Sequence, residues 1–88
     1  MTAHLRWAGG GHAQVESFDA RGIVLRSTVA SPPGSRIEGD LAGEPPARLR
    51  IKVHGCRRTE DGDFLLTGRP IDMTREVRAR VESLVSRR

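Results

Sequence analysis

Seven consecutive residues, Arg48-Leu49-Arg50-Ile51-Lys52-Val53-His54, alternate strictly between polar and aliphatic side chains. Successive side chains of an extended strand point to opposite faces, so Leu49, Ile51 and Val53 point one way. Arg48, Arg50, Lys52 and His54 point the other. A helix would scatter these residues around its circumference, so the segment reads as a strand with one buried and one wet face. Extended patterning recurs at about 3–8, 12–18, 22–29, 36–42 and 63–71. The stretches between are punctuated: Gly9-Gly10-Gly11, Ser31-Pro32-Pro33-Gly34 and Gly43-Glu44-Pro45-Pro46 are turns or loops. Thr59-Glu60-Asp61-Gly62 carries the Asp-Gly signal of a hairpin. Six short strands with tight connections predict a small antiparallel β-barrel, because closure removes the exposed edges of an open sheet.

The period changes after Ile71. Met73, Val77, Val81, Leu84 and Val85 fall at helical spacing and form one apolar stripe, predicting a C-terminal helix over about 73–86. Asp72 or Thr74 can cap its start, and Glu76 stands four residues before Arg80 in the favourable order. A single amphipathic helix needs a surface to dock on: the barrel is the nearest, and another subunit is the alternative. No repeat, low-complexity tract or long linker divides the chain, so residues 1–88 form one domain, with the barrel over about 3–71. A domain of this size buries roughly 60–65% of its unfolded surface. Its core must be aliphatic: seven Val, seven Leu and four Ile stand against Trp7, Phe18 and Phe64 as the aromatics. No apolar run approaches the ~18 residues that span a bilayer, and the first residues lack the apolar stretch of a signal peptide. A lone cysteine, Cys56, excludes an internal disulfide framework. These features predict a soluble, cytoplasmic protein.

The net charge is +4, and five arginines against two glutamates over residues 73–88 account for +3 of it. Such charge at a helix C-terminus offsets the helix dipole and is an ordinary solvated face. The ladder Arg48, Arg50, Lys52 and His54 is a second basic surface, solvated or open to an acidic partner. Catalysis has little support. His54 and Cys56, two apart on a strand, are expected to share a face, but a zinc site needs about four ligands. Asp61 and Asp63 flank a hairpin glycine, and Gly9-Gly10-Gly11 lacks the Lys-Ser/Thr of a phosphate loop. No catalytic residue, metal ligand or resident cofactor is assigned. A basic barrel binding single-stranded nucleic acid is an alternative, but it needs stacking aromatics that this composition barely supplies.

The extended runs that end at Val15 and resume at Ile23 leave a polar elbow, Ser17-Phe18-Asp19-Ala20-Arg21-Gly22. Ser and Asp bond their own backbone in turns, and Gly22 can take φ > 0 freely. Around this elbow the chain resembles a known family. Val-Glu-Ser-Phe-Asp-Ala-Arg-Gly-Ile-Val-Leu at 15–25 is followed by Pro33-Gly34-Ser35-Arg36-Ile37, by Leu49 to Gly55, and by Phe64-Leu65-Leu66-Thr67-Gly68-Arg69. With the closing helix, this order resembles the PilZ domain, a bacterial module of about six strands plus a C-terminal helix known as a receptor for cyclic di-GMP.

The resemblance implies a six-stranded antiparallel PilZ-like barrel without enzymatic activity, acting in bacterial cyclic di-GMP signalling. The family's ligand site joins two arginines four residues apart to an Asp or Asn, a Ser two places on and a Gly three further. The second part falls on Ser17, Asp19 and Gly22, with the two polar residues exchanged. The first part has no counterpart, since Arg6 is the only arginine before the elbow. If cyclic di-GMP binds, the resemblance places it at Ser17, Asp19, Arg21 and Gly22. Asp19 or Ser17 would meet guanine, Arg21 phosphate, and Gly22 would let the backbone approach closely. Two missing arginines remove charge-assisted bonds of roughly 1.5–3 kcal/mol each, or ~10²–10⁴-fold in affinity. The resemblance therefore also implies an adaptor that docks on a protein of signalling, motility or secretion machinery.

Overall fold

Alternation of apolar and polar residues places six strands along the chain, and the helical spacing after Ile71 places one helix. The computed structural model describes residues 3–43 and 47–86. The elements are β1 (His4–Trp7), β2 (His12–Asp19), β3 (Gly22–Ser27), β4 (Arg36–Leu41), β5 (Ala47–Arg58), β6 (Phe64–Ile71) and α1 (Arg75–Ser86). The strands form a closed antiparallel barrel in the order β1-β2-β3-β6-β5-β4. The Asp-Gly hairpin forms as expected, with the Thr59 amide donating to the Asp63 carbonyl at 2.8 Å. Of the loop expected at 43–46, residues 44–46 lie outside the described residues, as do Arg87 and Arg88 of the expected basic helix end.

Inward positions carry the aliphatic residues that the alternation assigned. Leu5, Ile23, Leu25, Leu41, Leu49, Ile51, Val53 and Leu66 are each at most 2% exposed. Full burial of such a side chain contributes about 1.5–3 kcal/mol. Trp7 is also buried, and its indole Nε1 donates to the buried Ser27 hydroxyl at 2.9 Å. That hydroxyl donates onward to the Val29 carbonyl at 2.8 Å. A buried indole needs such a partner, and the alternation through Ile23 and Leu25 carries Ser27 inward although its polar side chain does not announce it.

The helix docks on its own barrel, packing against β2 and β5. Val81 is fully buried in the core, and Met73, Val77, Leu84 and Val85 pack half-buried against it. Thr74, rather than Asp72, caps the helix: its Oγ1 accepts the Val77 amide at 3.2 Å. Asp72 instead adopts φ 51°, the left-handed turn by which the chain leaves β6. The helix consequently starts at Arg75, two residues after the expected start. Arg78 lays its guanidinium over the Phe18 ring, 5.2 Å from the centroid.

Two strands depart from strict alternation. The β2–β3 register shifts between Val15 and Ser17, leaving Glu16 as an extra residue. The β5–β6 register shifts between Val53 and Gly55, leaving His54 extra. A bulge of one residue moves every later side chain to the opposite face.

Candidate functional site

The elbow is a tight hairpin, and most of it is strand. β2 runs on to Asp19, β3 begins at Gly22, and only Ala20 and Arg21 form the turn. The expected six-residue elbow is corrected accordingly. Gly22 has φ 139°, and a Cβ there would collide with the Gly68 carbonyl oxygen of β6. Asp19 closes the turn, its Oδ1 accepting the Arg21 amide at 2.8 Å. This local bond explains the aspartate: a carboxylate bonding the amide two residues on is a standard turn former.

The bulge at Glu16 decides what this hairpin displays. Val15 pairs with Leu25, and both are buried. Without the extra residue, Ser17, two places on, would point inward as well. Instead Ser17 pairs with Val24 and Asp19 with Gly22 on the outer face, while Phe18 opposite Ile23 packs against the core. The second bulge acts in the same way. Gly55 pairs with Thr67 outside, and Cys56 pairs with the buried Leu66. His54 and Cys56 therefore do not share a face, contrary to the expectation from their spacing. His54 is exposed, whereas Cys56 packs against the core.

Both bulges lie on one transverse row of the sheet, Ser17–Val24–Thr67–Gly55. Between them is a shallow concavity of about 270 Å³ lined by Ser17, Asp19, Arg21, Gly22, Val24, His54 and Thr67. All four residues assigned from the sequence line this one surface. His54, Thr67 and Gly68, brought in by β5 and β6, were not assigned. The phase break at Val53-His54-Gly55-Cys56 was the available signal for that side of the site.

The electrostatics around it are uneven. Arg21 lies 3.5 Å from Asp19, and its side chain is 93% exposed. Arg26 donates to Glu16 Oε1 at 2.8 Å and faces Asp61 at 3.5 Å. The hydrogen bond to Glu16 leads the influences that hold its guanidinium pKa above the ordinary arginine value. Both arginines are thus engaged by carboxylates. Past the row Phe18–Ile23–Gly68–Val53, the outward residues Arg69, Lys52 and Arg36 lie in line across β6, β5 and β4. Lys52 pairs with Arg69 on one side and Arg36 on the other, and Arg69 borders Gly22. Among the described residues, none of Arg36, Lys52 and Arg69 joins an ion pair.

Other candidates resolve simply. Among the described residues no cluster of three or more His, Cys, Asp or Glu can hold a metal ion. Among the described residues no helix is long and apolar enough to cross a membrane. His4 and His12 share the outer face of β1 and β2, opposite Gln14 and Arg6. No family model, curated protein or solved structure matches this chain.

Proposed function

We propose that this chain is a non-catalytic regulatory module of the PilZ type, working within or beside bacterial cyclic di-GMP signalling as a protein-docking adaptor. One observation carries this reading: the β2 bulge turns Ser17 and Asp19 onto the outer face, where they share one concavity with His54 of β5 and Thr67 of β6. A bulge disrupts the ladder locally and re-aims side chains, and bulges are over-represented at barrel rims and beside active sites. The surface suits a protein better than a dinucleotide. The concavity is shallow and open, unlike the enclosed clefts that bury most of a small molecule. Asp19 already accepts the Arg21 amide, and the Arg21 guanidinium already faces Asp19.

Direct cyclic di-GMP binding is the second reading, favoured by the four motif-derived residues lining the same surface. Titration calorimetry of the purified chain with cyclic di-GMP separates the two. The adaptor reading expects no heat at ~100 µM nucleotide, whereas a dissociation constant below ~10 µM replaces it by the receptor reading. Single-strand nucleic-acid binding draws less support. Trp7 is buried, Phe18 lies under Arg78, and Phe64 packs against the core. Stacking on bases needs exposed rings.

A further inference from the structure

We infer that the transverse row Arg36–Lys52–Arg69 is a docking strip for an acidic, extended segment of a partner protein. This rests on the adaptor reading above and names the chemistry of its partner. Arg36, Lys52 and Arg69 occupy adjacent strands β4, β5 and β6 at directly opposed register positions. Strand spacing places their backbones within about 10 Å. All three are exposed. Like charges directly opposed across strands repel, so this rung works against the sheet's own pairing. Its neighbours are arranged differently. One rung on, Glu38 opposes Arg50, and the next sets Asp40 against Arg48. The sheet thus matches charge at two rungs and leaves three like charges at the third, with no carboxylate of the described residues to meet them.

The strip is short and bounded. Glu38 lies beyond Arg36 along β4, Asp72 follows β6, and Asp19 closes the far end beyond Gly22. Each of these carboxylates is already paired with an arginine, so a long phosphate backbone running past the strip would gain no further unmatched cation there. Two or three carboxylates on one short peptide fit within it. An extended peptide places alternate side chains about 6.8 Å apart on one face, so a Glu-X-Glu segment reaches neighbouring cations of the row. The lack of exposed aromatic rings nearby points the same way, because single-stranded nucleic acids bind through stacking as well as charge.

The test uses a fluorescein-labelled peptide of alternating Glu and Thr, followed by anisotropy at low and physiological salt. The intact chain is compared with Lys52→Glu, Arg69→Glu and the control Arg75→Glu. The control makes the same charge change on the exposed face of α1. Lys52→Ala serves as a milder variant, and melting curves confirm that each folds. The strip predicts a loss of about tenfold or more for Lys52→Glu and Arg69→Glu, and less than about twofold for Arg75→Glu. Equal losses in all three variants, or none in any, overturn it. Stronger binding of an oligo-dT strand, abolished by the same two variants, overturns it in favour of a nucleic acid. Should the peptide fail to bind the intact chain, the strip is refuted. Calorimetry with cyclic di-GMP then decides the adaptor reading separately.

Discussion

β5 carries two kinds of outward cation. In its first half, Arg48 lies 3.2 Å from Asp40 and 3.7 Å from Glu38. Arg50 lies 3.5 Å from Glu38 and 3.4 Å from Asp72. At Lys52 the pattern stops, and both cross-strand neighbours are arginines. In the sequence the three cations look alike, spaced two apart on one wet face. The difference lies wholly in what other strands bring beside them. The expected basic ladder is therefore two surfaces: a neutralised part that serves the sheet, and an unmatched part that faces outward.

The largest effect expected of any probe of this contrast falls on the core beneath it. Ile51, 1% exposed, sits between the matched and unmatched rungs. Ile51→Ala should lose about 2–5 kcal/mol in urea unfolding and disable both halves together. Next comes Gly22→Ala on the unmatched side. The added Cβ meets the Gly68 carbonyl at a positive φ, and a cost of about 1–3 kcal/mol is expected from the same measurement. Charge reversal then tests the contrast directly. Lys52→Glu turns a like-charged rung into a matched one and should raise stability. Arg50→Glu sets a glutamate against Glu38 and Asp72 and should lower it. Each shift should be roughly 0.2–1 kcal/mol, with opposite signs. Shifts of the same sign would show that the two halves are electrostatically equivalent. The smallest effect is that of salt. At about 1 M, where the screening length falls to ~3 Å, the gap between these two reversals should close.

The fold was legible because one residue period covers most of it. Leu49, Ile51 and Val53 announce their strand, and the stripe from Met73 to Val85 announces the helix. The site was half legible. Ser17, Asp19, Arg21 and Gly22 were found and do line one surface. Their outward aim was not readable, because a bulge leaves no mark on residue type; Glu16 is an unremarkable strand residue. The same blindness hid which face the last third of β5 presents. His54 and Cys56 were expected on one face, and the extra residue at His54 sets them on opposite faces. Charge neutralisation was illegible for another reason. The partners of Arg50, Glu38 and Asp72, lie 12 and 22 residues away, and only the register brings them together.

Ring closure has a consequence for how this molecule opens. β1 bonds to both β2 and β4, so every strand is flanked on both sides. Removing any one strand would break two ladders at once. Deuterium should therefore enter the amides of all six strands at a single slow rate set by global unfolding. α1, which stands outside this ring of ladders and packs against β2 and β5, should exchange ahead of them. The barrel behaves as a single clasp, and the helix is the part that can lift away while the clasp stays shut.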